Sequence, residues 1–478
     1  MNLALFAPEL FLLFGSLVLF LISLGKSNAK SARNATIFIA LINVVICLST
    51  MGQNGTLFYE AYQVDLFSQF FKVVISAGFA FVVLFGCDLK GINKDIRAEY
   101  YLFMMLSTLG LVMLVSCVEL LAMFIALELS SFSLYLLVPM RDDRAGLKIQ
   151  MESAIKYILF GVVATGIMLF GMSYLFGLTG STYFVEMIPK LHQMYTMPVA
   201  IVAIAMFMGG FFFKLAVFPF HFWVPDVYQG ASNETTAFIA SIPKIAAVAM
   251  LIRVITLVSP SSDIIVTMLM ILSVGSMFYG NLIALVQKDI KRLLGFSGIA
   301  HAGFVLIGLL TLKDSGYATA IYYIIGYLVM NMACFLVICK VSREGENVTI
   351  DDLSGLHQRA PLLALTLGVG MFALAGIPPF VGFMGKFMLL AGALKQGHLI
   401  LVILAALNTA IAIYYYLSVV RVSYTTDPED RPAVPVDGVT WAVSITLMII
   451  IIAMGVLPSK IVDMATAAVN VITVMPGN

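Results

Sequence analysis

Gly209-Gly210-Phe211-Phe212-Phe213-Lys214-Leu215-Ala216-Val217-Phe218-Pro219-Phe220-His221-Phe222-Trp223-Val224-Pro225 sets one lysine in an apolar run that two prolines then interrupt. A charge placed at the centre of a membrane helix costs at least about 2.5 kcal/mol, so a chain that keeps one there gains something in return. Glu128, Lys244 and Lys386 are isolated in apolar runs in the same way. Four such residues point to a path for ions or protons through a membrane.

Composition agrees. Of 478 residues, 61% are hydrophobic and only 11% charged, and mean hydropathy is +1.02, well outside the range of soluble globular chains. Net charge is +1, which excludes bulk electrostatic attraction to nucleic acid. The five cysteines (Cys47, Cys87, Cys117, Cys334 and Cys339) sit in or beside apolar stretches and have no zinc or iron–sulfur spacing. They read as small packing residues. The five histidines form no cluster either, so no bound redox centre, metal or cofactor is expected in this chain.

Apolar stretches of about 20 residues, the length a bilayer core requires, recur almost without pause. About fourteen spans are expected, near 3–24, 35–50, 66–87, 100–116, 118–138, 152–177, 198–222, 235–257, 264–286, 292–311, 316–340, 361–391, 399–421 and 438–457. The longest polar connections, around 178–197 and 341–360, leave no room for a soluble domain. The first run is long enough to span, and its cations Lys26, Lys30 and Arg33 follow it, so it reads as a membrane helix rather than a cleavable signal.

Alternate connections carry Lys26, Lys30, Arg33, Lys90, Lys94, Arg97, Arg141, Arg144, Lys148, Lys288, Lys291, Arg292, Lys340, Arg343, Arg359, Arg421 and Arg431, which is 17 of the 27 basic residues. The opposite side holds Lys190, Lys313, Lys395 and Lys460. This asymmetry puts the basic side in the cytoplasm and both termini outside.

Two spans depart from a plain helix. Pro219 and Pro225 interrupt the end of helix seven, and Ala375-Gly376-Ile377-Pro378-Pro379-Phe380-Val381-Gly382-Phe383 breaks helix twelve. Irregular backbone survives at membrane depth only where protein buries it or water reaches it. The broken helices are fourth in two consecutive five-helix blocks, helices four to eight and nine to thirteen. An odd number per block forces opposite topology on the two copies, and paired interrupted helices in an inverted repeat mark a transport site. The expected fold is an all-α membrane bundle divided at 1–98, 99–258, 259–424 and 425–478, with the two repeats in the middle.

Glu128 lies mid-helix in Ala126-Leu127-Glu128-Leu129, with Glu119 nearer the outer interface. A carboxyl group buried alone takes up a proton, whereas beside a lysine it stays ionised; Lys214 is the expected partner. Lysine suits proton transfer, because desolvation loosens its proton and a nearby carboxylate tightens it again. Each pKa unit corresponds to about 1.4 kcal/mol, so small movements suffice. Lys244, in Ser241-Ile242-Pro243-Lys244, reads as a relay, and Lys386, in Gly385-Lys386-Phe387, as an outward release point. Bland alternatives stand beside these readings. A lone membrane lysine can snorkel or form a structural ion pair. Lys156 follows Glu152 by one turn, the spacing of a helix-stabilising pair. Lys72 and Arg253 read as buried pairs or interfacial residues. His301, in Ser297-Gly298-Ile299-Ala300-His301-Ala302-Gly303, either bridges proton sites or is a hydrogen-bonded core histidine.

The stretch Phe213-Lys214-Leu215-Ala216-Val217-Phe218-Pro219-Phe220-His221-Phe222-Trp223-Val224-Pro225-Asp226-Val227-Tyr228-Gln229-Gly230-Ala231 resembles the signature of the antiporter-like membrane subunits of respiratory complex I. Ala375 to Pro379 through Gly385-Lys386-Phe387, Glu152-Ser153-Ala154-Ile155-Lys156-Tyr157 and the segment around His301 resemble that family too. The likeness covers nearly the whole chain. It is closest to the branch that lacks a long lateral helix and has lysine rather than glutamate on helix twelve. The resemblance implies a proton-translocating, non-redox subunit of an NADH–quinone oxidoreductase. NADH, flavin, iron–sulfur clusters and quinone are then expected in partner subunits. It makes Glu128 and Lys214 the family's ion pair, Lys244 its central lysine, Lys386 its terminal lysine and Lys156 its helix-six lysine. Redox energy would arrive from neighbours as electrostatic or conformational change.

Other functions fit parts of this pattern. A proton/cation antiporter subunit, the equivalent subunit of a membrane-bound hydrogenase and an autonomous secondary transporter share the architecture; the last would act without partners. A scaffold with satisfied charges would tolerate loss of Lys214 or Glu128.

Overall fold

The computed structural model describes residues 3–25, 29–86, 88–143, 146, 148–428 and 431–473; Lys26, Cys87 and Arg144 lie outside them. The spanning helices run one Ala7–Leu24, two Ala29–Ser49, three Leu66–Phe85, four Arg97–Leu114, five Leu120–Leu137, six Ile149–Thr179 and seven Pro198–Leu215. They continue with eight Asn233–Ile255, nine Asp263–Ala284, ten Ile290–Leu309, eleven Asp314–Val341, thirteen Leu399–Thr425 and fourteen Gly438–Val456. Among the described residues, 13 helices are long and apolar enough to cross a membrane. The expected fourteenth, helix twelve, consists of two 15-residue pieces, Pro361–Ala375 and Val381–Lys395, each too short to span alone.

The two breaks close in the same way. In helix seven Ala216 is left-handed (φ 69°), and the Val217 amide donates back to the Phe212 carbonyl at 2.9 Å. In helix twelve Gly376 is left-handed (φ 86°), and the Ile377 amide donates to the Phe372 carbonyl at 3.1 Å. Both are six-residue closures that satisfy the last carbonyls of a helix. After the break, helix seven resumes as Val224–Gly230. Prolines at 219, 378 and 379 account for the failure to continue, since each removes the amide that a helix needs.

Helix eight is the axis of the bundle: all of its residues are buried, and it packs on helices three, seven, ten and eleven. Helices ten and eleven are almost as enclosed. The other helices wrap around this trio and present Leu, Ile and Phe outward, as a lipid-facing surface requires. The connections bearing Lys90, Arg141, Lys291 and Lys340 gather on one face: Lys90 bonds the Ser342 carbonyl at 2.8 Å, Arg141 the Gln229 carbonyl at 2.8 Å, and Lys291 the Ala231 carbonyl at 2.7 Å. We call this the basic face. Helix four starts there, at Arg97, whereas helix nine starts at the opposite face, beyond Arg253 and Thr256.

Three features were not legible in the apolar pattern. A two-stranded hairpin, Gly55–Leu57 with Tyr62–Val64, closes the connection between helices two and three. A ten-residue helix, Phe184–Gln193, lies in the connection after helix six. The segment after helix fourteen, where no further span is expected, forms the helix Ser459–Thr473, whose Ala465, Ala468, Val469 and Ile472 are buried and which packs on helices eleven and three.

Candidate functional site

The break in helix seven leaves Lys214 next to the last residue of its first half, inside the bundle and 3% exposed. Its Nζ donates to Ser131 Oγ at 2.9 Å, and the Ser131 hydroxyl donates in turn to the Leu127 carbonyl at 2.8 Å. Glu128, one turn before Ser131 on helix five, is half-buried and accepts a hydrogen bond from Thr165 Oγ1 of helix six at 2.9 Å. The Glu128–Lys214 pairing expected from the sequence is not a direct contact: among the described residues no ion pair or hydrogen bond joins the two. Each charge is held by its own hydroxyl, Lys214 by Ser131 of helix five and Glu128 by Thr165 of helix six.

Lys244, near the middle of helix eight, is 1% exposed. Its Nζ lies 3.3 Å from Tyr327 Oη on helix eleven and 5.2 Å from the centre of that ring. Gly298 on helix ten makes the space: a Cβ there would stand 2.6 Å from Tyr327 Oη and 2.8 Å from Lys244 Nζ. Beyond Tyr327 comes His301, with ring centroids 5.0 Å apart. Its Nδ1 is 2.6 Å from Tyr323 Oη and its Nε2 3.2 Å from Tyr416 Oη. Thus His301 is a hydrogen-bonded core histidine, and it also stands between two buried lysines.

The second lysine is Lys386. Its Nζ donates to the carbonyls of Leu374 and Ala375, both at 3.1 Å, and lies 5.0 Å over the Phe304 ring. The break in helix twelve frees those carbonyls, which form the negative end of the first half-helix, and a cation is the natural cap. Between Lys214 and Lys244 lies a stack of aromatics. Tyr157 stacks on Trp223 at 4.7 Å, Trp223 meets Tyr228 at 6.2 Å, and the buried Tyr228 hydroxyl has no hydrogen-bond partner among the described residues.

Lys156 is not in this row. It is 37% exposed near the basic face, 2.6 Å from both Glu152 and Asp226, and Asp226 also holds Arg292 at 3.0 Å. His221 is likewise apart, wedged against Phe222 and Tyr279 with neither ring nitrogen bonded. Lys72 and Arg253 are buried pairs: Lys72 meets Glu9 at 2.7 Å and Arg253 meets Asp65 at 2.8 Å. Among the described residues, no three His, Cys, Asp or Glu side chains converge to hold a metal.

Sequence reasoning selected the buried charges and missed the neutral groups that hold them, Ser131, Thr165, Tyr323, Tyr327 and Tyr416, as well as the carboxylate of Asp226 that pairs with Lys156. One signal was available. Tyr323, Tyr327 and Asn331 recur every four residues on helix eleven, a polar stripe in an otherwise apolar span.

A bundle with two equivalent breaks and a buried row of titratable groups defines the antiporter-like class of membrane transporters. Residues 117–412 match the family described as NADH:quinone oxidoreductase/Mrp antiporter, and the chain belongs to it. The NADH-quinone oxidoreductase subunit N 2 of Opitutus terrae is 49% identical over 98% of both chains. A chain of respiratory complex I from Thermus thermophilus is 30% identical, with a TM-score of 0.82 over 96% of this chain and 99% of that one. These relatives place the chain in the subunit N branch, the antiporter-like subunits of the complex I membrane arm. A chain of the Mrp complex from Dietzia, 20% identical with a TM-score of 0.86 over 98% of this chain, shares the fold.

Proposed function

We propose that this chain carries protons across the bacterial inner membrane through Glu128, Lys214, Lys244, His301 and Lys386, as a non-redox subunit of NADH-quinone oxidoreductase. The buried sequence Lys244–Tyr327–His301, with Lys386 beyond it, carries this reading. Every link is a group that can both accept and donate a proton or orient one that does, and each lysine lies within a few ångströms of neutral dipoles rather than a permanent counter-ion. A lysine locked in a short ion pair would hold its proton; these are poised to exchange it. The basic face is taken as cytoplasmic and both termini as outer.

NADH, flavin, iron–sulfur clusters and quinone belong, in this reading, to partner subunits. Their redox step acts here by shifting charge or position at Glu128 and Lys214, each held by a single hydroxyl, Thr165 and Ser131 respectively, that small side-chain movements can engage or release. Lys156 then serves as the counter-ion that holds Asp226 and the second half of helix seven in place.

The test is proton transport in proteoliposomes by the assembled complex. Lys244→Met is expected to lower proton translocation per electron while the complex still assembles. A wild-type ratio in the assembled Lys244→Met complex would sink the proposal. Transport by the purified chain alone would instead favour an autonomous transporter.

A further inference from the structure

Helices eight and eleven run antiparallel, and their contact contains a second line of polar groups that the relay above does not use. Glu234 lies at the foot of helix eight, where helix eleven ends at Val341, and three turns further on Lys244 meets Tyr327. At the intermediate level stand Ser241 on helix eight and Asn331 on helix eleven, beside the Tyr327 hydroxyl. Among the described residues, one oxygen of Glu234, the Ser241 hydroxyl and both polar atoms of the Asn331 amide are buried with no partner at hydrogen-bond geometry. Glu234 is 4% exposed, and Ser241 and Asn331 are fully buried.

Orphaned polar atoms are rare in folded proteins, and the usual remedy is buried water. Here they are aligned. Ser241 follows Glu234 by seven residues, two turns and about 10 Å along the helix, and Lys244 lies one turn beyond. At its lower end the line reaches the basic face. A cavity of about 610 Å³ opens there, lined by Arg141, Asp142, Gly230, Glu346 and Asn347. Its wall is tied to the foot of helix eight by Asn233 Nδ2, which donates to the Glu346 carbonyl at 3.2 Å. Glu234 is not itself in that lining; it lies next to Asn233 behind the wall, with the cations Arg141, Lys291 and Lys90 of the basic face nearby.

We infer that Glu234, Asn331 and Ser241 form the proton inlet to Lys244: Glu234 takes a proton from the cavity, and water held by Ser241 and Asn331 passes it up helix eight. The inference rests on the relay role of Lys244 proposed above. Glu234 has an alternative, purely structural role as an acid at a helix N-terminus among cations, and the experiment separates the two.

Glu234→Gln, Glu234→Asp, Ser241→Ala and Lys244→Met are each built into the assembled oxidoreductase, and proton uptake and electron flow are measured together in proteoliposomes over a range of pH. Glu234→Gln and Ser241→Ala are expected to slow proton uptake per assembled complex, by roughly a hundredfold for the former, the lower end of what a positioned proton-transfer group contributes. Glu234→Asp should restore uptake with an altered pH profile. If Glu234→Gln lowers only the yield, and the assembled fraction pumps normally, the inlet role is overturned. Should that variant fail to assemble, Ser241→Ala, which removes one hydroxyl, decides alone. Normal uptake in Ser241→Ala and Glu234→Gln with loss in Lys244→Met rejects the inlet and keeps the relay. Normal uptake in Lys244→Met rejects both.

Discussion

Lys386 caps the half-helix that its own span abandons: its Nζ lies 3.1 Å from the carbonyl oxygen of Ala375, eleven residues earlier across the break. The second half of helix twelve thereby closes the first, and a titratable group becomes the counter-charge of a helix terminus. When Lys386 is protonated the two halves attract, and when it is neutral that attraction weakens. Protonation and the geometry of the break are linked in one contact.

Lys386→Met should leave the Leu374 and Ala375 carbonyls buried and unpaired, at about 1–3 kcal/mol each, so both assembly yield and proton pumping fall. Lys386→Arg keeps the charge and the donors but does not release a proton at ordinary pH. It is expected to assemble near normally and still pump poorly. Native-gel yield and proton-to-electron ratio distinguish the two losses.

Gly298 is required for space rather than flexibility. In Gly298→Ala the new methyl would press on Tyr327 Oη at 2.6 Å and Lys244 Nζ at 2.8 Å, an overpacking of about 1–3 kcal/mol. The complex should still form, with slower proton transfer and unchanged electron transfer in uncoupled membranes. Unchanged coupled pumping would show that the Lys244–Tyr327 contact is dispensable.

Glu9 and Lys72 are a structural pair, enclosed at 0% and 2% exposure and shared with Tyr62 Oη, 2.6 Å from Glu9. Glu9→Gln strands the lysine and should cost roughly 3–5 kcal/mol. The double change Glu9→Leu with Lys72→Leu should cost far less, because both charges leave together. Thermal denaturation of Glu9→Leu, Lys72→Leu and the double change gives the coupling, and pumping per assembled complex should not change.

The loop at Ser342–Val348 carries its own acid sensitivity. Partial burial alone would push the Glu346 carboxyl up, but the main-chain amides of Arg343 and Glu344, at 2.8 and 2.7 Å, hold it below its ordinary 4.5. A lowered folded value means that the stabilisation is present above the unfolded pKa and disappears as pH falls through the folded one. The protection factors of those two amides, which remove the intrinsic pH dependence of exchange, should therefore hold steady above about pH 4.5 and fall on further acidification. Glu346→Gln should exchange faster and lose that pH dependence.

The sequence by itself determined which segments span and which residues are out of place among them. Hydropathy is additive along the chain, and a charge such as Lys214 or Lys244 is conspicuous in an apolar run whatever surrounds it. The breaks were legible for the same reason, since Pro219 and the Pro378-Pro379 pair forbid a continuing helix locally. What only the tertiary structure decided was contact: Ser131 against Lys214 and Thr165 against Glu128, Tyr327 and His301 beyond Lys244, Lys156 turned to Asp226 at the rim. Those outcomes depend on helix rotation and register, which are set by packing between segments a hundred residues apart. Serine, threonine and tyrosine are common enough in membrane helices that no local pattern separates a relay hydroxyl from one bonded to its own backbone.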